Sequence, residues 1–284
     1  MIRSIMFLGL ILIAFNLLAQ TAVLPAGTGT EANPYLIATW QNLYWISQNS
    51  SSWDKHFIQT ADIDFEDAVP AIETWCYNLG WKPIGNSETK FTGIYDGDNH
   101  TISGLYSQGY YGTYYRGLFG WVNTSASEIK NLGLLNVNVV GSYYTGMLVG
   151  YNLNGIINNC YSSGSLFGCC QYTGGLVGFN YSGTISNCYN TGTSTGAYDV
   201  GGLVGYNTGT IIDCYNLGIV TGYYSEAAVA DIGGLVGSNY TGNIFNSYNI
   251  GPVDGSGLSI GGLVGHNLHG NISNCFNRGN VIGE

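Results

Sequence analysis

Charge is scarce in this sequence. Of 284 residues only 7 are Lys or Arg and 17 are Asp or Glu, so 8% are charged, against about 25% in a typical domain. With so few basic residues and a net charge of −10, the electrostatic footprint of a DNA- or RNA-binding protein is missing. After the first twenty residues no apolar run is long enough to span a bilayer. The strong helix formers are sparse, while Gly fills 44 positions at about 1 kcal/mol each inside a helix. A long helical protein is thereby excluded. The chain does have 45% hydrophobic residues, among them 23 Tyr, which is too apolar for disorder. The balance describes a β-rich extracellular protein.

Residues 1–20 read as a signal peptide. Arg3 precedes an apolar run from Ile5 to Leu18, and Ala19, Gln20 and Ala22 follow at the cleavage region. The run is short for a membrane anchor, and no stop-transfer pattern comes after it. The expected location is secreted or cell-surface, with no membrane span once the signal is removed.

The body repeats. Gly174-Gly175-Leu176-Val177-Gly178 recurs at 201–205, 233–237 and 261–265, with altered copies at 146–150 (Met147 in second place) and 117–120, spaced 27 to 32 residues apart. Behind each full copy comes a second block, such as Ile185-Ser186-Asn187-Cys188-Tyr189, then a Gly and a short apolar run such as Ile219-Val220. None of these β-prone runs could bury its apolar side alone. Stacking each run on its counterpart in the next unit solves this and predicts an all-β, right-handed parallel β-helix of roughly 28-residue coils. A β-propeller blade needs about 40 residues or more and does not fit. Residues 21–90, rich in Trp, are expected to form an N-terminal cap, 91–115 the first coil and 116–284 six repeats. The last unit simply stops, which leaves end-to-end self-association as an expectation.

Stacking also predicts columns. Asn159, Asn187, Asp213, Asn246 and Asn274 share one position, with Asn131 before them, and Asn152, Asn180, Asn207, Asn239 and Asn267 share another. Such asparagines are expected either to form amide ladders or to serve as turn-formers with left-handed backbone. Cys160, Cys188, Cys214 and Cys275 form a further column, expected to act as small apolar fillers. Bridges 160–188 or 188–214 are open to them as neighbours in adjacent coils.

The block from Gly174 to Gly192 resembles the GLUG motif, a repeat of bacterial surface and secreted proteins that include adhesin-like proteins and some immunoglobulin-A-specific metallopeptidases. The resemblance covers residues 116–284. The preceding stretch, including Ala61-Asp62-Ile63-Asp64 and Phe91 to Ile102, resembles the segment that often comes before such repeats. It implies a β-solenoid on the outside of a bacterium and surface binding without proteolysis. The metallopeptidase pattern His-Glu-x-x-His is absent, since the four histidines are His56, His100, His266 and His269.

Three groups are candidate sites. Tyr110, Tyr111, Tyr114, Tyr115, Tyr143, Tyr144, Tyr172, Tyr198, Tyr223 and Tyr224 lie just ahead of the Gly blocks. On one solenoid face they could stack on sugar rings or on a partner protein, or cover the ends of the core. Asp199 and Asp231 occupy equivalent positions in adjacent coils, where two carboxylates would want Ca²⁺ or a shared proton. Their spacing also approaches that of a retaining glycosidase pair. Asp62 and Asp64, in the acidic run Asp62–Asp67, offer oxygen ligands at alternate positions for Ca²⁺. His266 and His269, three apart on a strand, would face opposite sides and make no metal pair. No other cofactor is expected. The sequence reads as a non-catalytic adhesin or binding scaffold for an extracellular glycan or host or surface protein. A polysaccharide-degrading lyase or glycosidase on the same fold is the alternative.

Overall fold

The structure is a computed structural model that describes residues 20–68, 71–223 and 230–283; the signal peptide expected over residues 1–20 falls, but for Gln20, outside the described residues. It is a parallel β-solenoid. From Tyr114 onward each turn contributes one short strand to each of two six-stranded sheets and one or more strands to a third, larger sheet, and these strands pair in parallel with the same segment one turn on. One sheet stacks Phe119–Asn123, Val149–Leu153, Val177–Tyr181, Val204–Asn207, Val236–Tyr240 and Val264–Leu268. A second stacks the strands just ahead of each Leu-Val pair, from Tyr114–Arg116 to Ser259–Gly261. The third carries the Ile and Tyr-Asn blocks, with Ile157, Ile185, Ile211 and Ile244 aligned in successive turns. The interior is filled by repeating columns: Leu148, Leu176, Leu203 and Leu235 beside Val149, Val177, Val204 and Val236, all fully buried. No described helix is long and apolar enough to cross a membrane.

Winding begins earlier than the composition suggests. Tyr35–Ile37 pairs with His56–Gln59, which pairs with Ile94–Asp96, which pairs with the long strand Glu128–Gly141. Residues 21–90 are thus not a plug set apart from the solenoid, because their strands already extend the third sheet. The Trp-rich segment does pack as a core of its own kind. Trp40, Leu43 and Ile46 from helix α1 (Trp40–Gln48) are buried, as are Trp53, Trp75 and Trp81. Trp53 Nε1 donates to Ile46 O at 2.7 Å and Trp81 Nε1 to Leu118 O at 3.0 Å, so the indoles are buried without orphaned N–H groups.

The two sequence signatures of the repeat explain each other. The Asn of each Tyr-Asn pair is fully buried at 190, 216 and 249, and their amides form a continuous ladder. Asn190 Nδ2 donates to Asn216 Oδ1 at 3.1 Å, Asn216 to Asn249 at 2.9 Å and Asn249 to Asn277 at 2.8 Å. The second Gly of each Gly-Gly block lies against this ladder. A Cβ on Gly202 would stand 2.2 Å from Gly234 O and 2.3 Å from the Asn216 amide, so no side chain fits there. In the one repeat where that Gly is Met147, the facing Asn is replaced by the smaller Ser162, whose Oγ donates to Asn190 Oδ1 at 3.0 Å. A second ladder runs Asn152, Asn180, Asn207, Asn239, Asn267, with steps of 2.7 to 2.9 Å. It starts at Asn152 because Val122 occupies the position one turn earlier, and Asn152 Oδ1 is left buried without a donor.

The column of Asn159, Asn187, Asp213, Asn246 and Asn274 behaves differently. All five adopt left-handed backbone, with φ between 48° and 54°, and the asparagines are solvent-exposed. Asn159 does bond Asn131 at 2.8 Å and Asn274 bonds Asn246 at 3.2 Å, but Asn187 reaches Asn158 instead. A continuous ladder does not form here, because the side chains point to water, and the turn requirement selects Asn and Asp.

That turn also accounts for the cysteines. The left-handed residue diverts the next backbone N–H from the sheet, and the side chain of the following coil receives it. Cys160 N–H donates to Cys188 Sγ, Cys188 N–H to Cys214 Sγ, and Cys214 N–H to Ser247 Oγ at 3.1 Å. The column therefore needs a small acceptor, which is why Ser247 substitutes for Cys. All seven cysteines are free thiols, and neither bridge 160–188 nor 188–214 is made. Burial pushes the Cys188 and Cys214 thiols well up.

On the outer surface Tyr161, Tyr189, Tyr215, Tyr248 and Phe276 stack face to face, 4.8 to 5.0 Å apart and within 4° of parallel. The faces of the inner rings Tyr189, Tyr215 and Tyr248 are spent on their neighbours, so the array serves stability. Tyr215→Ala deletes two contacts in the middle of the stack and should cost about 1–3 kcal/mol, read as a shift in the urea midpoint.

Candidate functional site

One corner of the solenoid varies while the rest repeats. It precedes each strand of the second sheet and contains segments 109–113, 142, 169–172, 197–199 and 256–258, together with residues 223 and 230. Most of the variation in repeat length falls here. Variable loops on a rigid scaffold are where function concentrates, and every described Tyr of the first candidate group lies at or beside this corner.

Two columns meet along it. The first consists of the left-handed residues Tyr115, Tyr144, Tyr172 and Asp199, continued in register by Asp231 and Ser259. The second is the residue that follows each Gly-Leu-Val-Gly block: Trp121, Tyr151, Phe179, Tyr206, Ser238 and His266, paired turn by turn. Over the early turns the columns interlock as an aromatic belt. Tyr144 stacks on Tyr115 at 5.1 Å and meets Tyr151 edge-on at 5.4 Å, and Tyr172 meets Tyr206 edge-on at 5.2 Å. Burial is the main force pushing Tyr151 and Tyr172 up to about 12, so these phenols stay neutral. Trp121, Tyr151, Phe179 and Tyr206 were legible only by comparing the residue after each repeated block.

Over the later turns the same columns turn polar. Ser238 Oγ lies 2.5 Å from Asp199 Oδ1 and 2.8 Å from Asp231 Oδ2, and His266 Nδ1 lies 3.3 Å from Asp231 Oδ2. A serine hydroxyl carries one proton and can donate to one carboxylate only. Two ionised carboxylates at these distances would leave one pair of oxygens in contact with no hydrogen between them. A proton on Asp199 relieves this contact. Burial, reinforced by the nearby Asp231 charge, pushes Asp199 up to about 6 despite the opposing effects of Ser238 and His266. When Asp199 carries that proton it donates to Ser238, which donates to Asp231; once the proton leaves, the Ser238 hydroxyl can serve one carboxylate only. Asp231 is only 8% exposed, so this group can hold a proton but is closed to a bulky substrate. Ser238 and His266 were not singled out in the sequence as partners of the acids.

The remaining predicted residues separate clearly. Tyr110, Tyr111 and Tyr114 are 59%, 83% and 53% exposed, and Tyr114 stacks on Tyr143 at 4.9 Å. Tyr115, Tyr144 and Tyr172 belong to the packed belt. Tyr198 is half-buried, Tyr223 stacks on Phe167, and Tyr224 lies outside the described residues. Asp62 and Asp64 have protein partners. Asp62 Oδ1 accepts from Thr101 N–H at 2.8 Å and meets His100 at 3.3 Å, and the Thr101 bond holds its carboxyl below the usual range. Asp64 Oδ1 accepts from Glu66 N–H at 2.9 Å. Among the described residues no group of three or more His, Cys, Asp or Glu is placed to hold a metal ion. The calcium expectation at Asp62, Asp64, Asp199 and Asp231 finds no such cluster, since each turn supplies at most one of these acids to a given spot. A cleft of about 430 Å³ between Phe65, Glu73, Leu105 and Asn138 contains none of the candidate residues.

The fold and its columns define a parallel β-solenoid repeat protein. Residues 170–195, 196–221 and 256–282 match the family described as the GLUG motif, and the repeat built here is the GLUG repeat. Halomucin of Haloquadratum walsbyi is 37% identical over 143 residues, half of this chain and 2% of that protein. A protein of Evansella cellulosilytica, provisionally named a Gly-rich membrane protein, is 32% identical over 149 residues, again half of this chain and 16% of its own length. The matched stretch is thus a small part of either relative. Among solved structures, a Bacteroides ovatus protein provisionally named an immunoglobulin A1 protease superposes with a TM-score of 0.66 at 22% identity, covering 88% of this chain and 76% of that one. A structure named IgA1 Protease superposes with a TM-score of 0.57 at 19% identity, covering 87% of this chain and 20% of that one. At these identities the likeness is one of fold.

Proposed function

We propose that this protein is a secreted or cell-surface scaffold that binds extracellular glycan without catalysis, at the corner carrying Tyr110, Tyr111, Tyr114 and Tyr143. The observation behind this reading is the division of labour among the tyrosines. The belt Tyr115, Tyr144 and Tyr172 is consumed by packing, while Tyr110, Tyr111 and Tyr114 expose half or more of their surface on a rigid base. Exposed aromatic faces beside phenolic hydroxyls suit the apolar face and hydroxyl rim of a sugar ring. The names of the sequence relatives, Halomucin and a Gly-rich membrane protein, agree with a surface setting. A Tyr111→Ala/Tyr114→Ala double variant should lose at least about tenfold in affinity for glycans retained on an array, equivalent to about 1.4 kcal/mol. Its melting temperature should fall only by what the lost Tyr114–Tyr143 stack contributes, and Tyr111→Ala alone should leave it close to the parent's because that ring is 83% exposed. Unchanged glycan retention would remove the proposal.

A second reading, a polysaccharide lyase or glycosidase, draws on the Asp199–Asp231 pair, in which burial pushes the Asp199 carboxyl up to about 6. Against it stands the burial of Asp231. A reducing-sugar assay on the glycans that bind separates the two: retention without product supports the scaffold, and turnover abolished by Asp199→Asn establishes the enzyme.

A further inference from the structure

We propose that Cys169 and Cys170 form a thiol modification site, at which a small-molecule disulfide oxidant converts the adjacent pair into a vicinal disulfide while the core cysteines stay reduced. The two Sγ atoms already lie 3.4 Å apart, in the segment linking strand Ile156–Gly168 to Thr173–Gly174. Ser142 Oγ, at the same corner one turn earlier, donates to Cys170 Sγ at 3.3 Å and so fixes one thiol in place. Access differs within the pair: Cys169 is half-buried and Cys170 is 6% exposed. An incoming oxidant therefore meets Cys169 first. Its thiolate attacks one sulfur of the oxidant R–S–S–R, forming Cys169–S–S–R and releasing RS⁻. The Cys170 thiolate then attacks Cys169 Sγ and releases the second RS⁻. Overall the two cysteines give up two protons and two electrons, and the oxidant becomes two thiols.

The column cysteines are chemically different. Cys160, Cys188 and Cys214 are buried, and each sulfur sits in the backbone hydrogen-bond pattern of the turns. Extraction into a disulfide would break that pattern. Cys169 instead lies in the corner segment between strands, beside Ser142 and Cys170. Across a trans peptide the two Cα atoms are held about 3.8 Å apart, below the usual disulfide range of about 4.4–6.8 Å. The product is therefore strained and readily reduced, which makes the site reversible. Burial pushes the Cys169 thiol up, so oxidation should accelerate toward alkaline pH as thiolate forms.

The test is oxidation of the folded, pre-reduced protein with glutathione disulfide, followed by acid quenching, denaturation, alkylation of remaining thiols and chymotryptic digestion. Cleavage after Phe167 and Tyr172 isolates Gly168-Cys169-Cys170-Gln171-Tyr172. The expected peptide is about 2 Da lighter than its dithiol form, carries no alkyl group, and recovers two alkylation sites after dithiothreitol. Peptides bearing Cys160, Cys188, Cys214 and Cys275 should be alkylated throughout. Cys169→Ser should leave Cys170 alkylatable under the same treatment. Two alkyl groups on the oxidised pentapeptide, a stable glutathione adduct on either cysteine, or a bridge to any other cysteine would each overturn the assignment. None of these readouts depends on glycan binding.

Discussion

Asp199→Asn is expected to stabilise the protein at neutral pH and to flatten its acid-side stability profile. The parent carboxyl is pushed up to about 6 from its ordinary 3.8, first by burial and then by Asp231. Between those values the folded state holds a proton that the unfolded state has released. Asp199 therefore contributes most stability below pH 3.8, and this is lost as pH rises through 6. The difference of about 2.2 pH units corresponds to about 3 kcal/mol at 1.36 kcal/mol per unit. Asparagine keeps the geometry without the charge. It tolerates the left-handed backbone found at 199, where φ is 31°, and its amide can donate to Ser238 at any pH. Urea unfolding at pH 4.5, 6 and 7.5 should show the parent weakening across the series and the variant gaining up to about 3 kcal/mol on it at pH 7.5. Parallel profiles for the two proteins would mean that no proton is shared at this site. Unfolding in a solenoid can be local, so hydrogen exchange in strands Val236–Tyr240 and Val264–Leu268 should follow the same trend.

Asn216→Ala should be among the most damaging single changes in the repeats. Asn216 is fully buried and uses its whole amide: Nδ2 donates to Gly218 O and Asn249 Oδ1, and Oδ1 accepts from Asn190 Nδ2 and Gly218 N–H. Alanine removes four bonds and strands their partners in a dry interior. At about 1 kcal/mol per net bond, with a further penalty for each orphan, the loss is about 3–5 kcal/mol. Asn216→Asp should be worse at pH 7, since aspartate cannot donate and would face Asn249 Oδ1 and Gly218 O with a buried charge. Exposed Asn187, which occupies a comparable place in the sequence pattern, should lose only about 1 kcal/mol on mutation to Ala through its left-handed backbone. Denaturation midpoints for the three variants give the ranking. Equal costs at 187 and 216 would show that burial does not distinguish the columns.

That contrast shows how far sequence periodicity reaches. Repetition of Gly-Gly-Leu-Val-Gly and Ile-x-Asn-Cys-Tyr every 27 to 32 residues is enough to require stacked parallel strands, because each run can hide its apolar side only against its own copy. The same count aligns Asn159 with Asn187 and Asp199 with Asp231. Periodicity cannot say which column faces inward. The left-handed residue before each cysteine turns one Asn column to solvent, and the Asn two residues after that cysteine is carried to the center of the coil. Nor could spacing alone show that the Trp-rich segment contributes strands to the sheet, since those strands are too short and dissimilar to register as repeats.

The candidate site divides in the same way. The amino-acid order determined that tyrosines and two acids gather ahead of the glycine blocks and that the loops there vary. Only the tertiary structure brought the residue after each block, Trp121 through His266, against them. Side chains from a corner and from the next strand meet because the turn between them is tight and every coil repeats it. That meeting consumes Tyr115, Tyr144 and Tyr172 in packing, leaves Tyr111 open, and places one serine between two carboxylates. Stacking is a property of the chain's own repetition, whereas contact between different columns depends on the angle at which the corner folds.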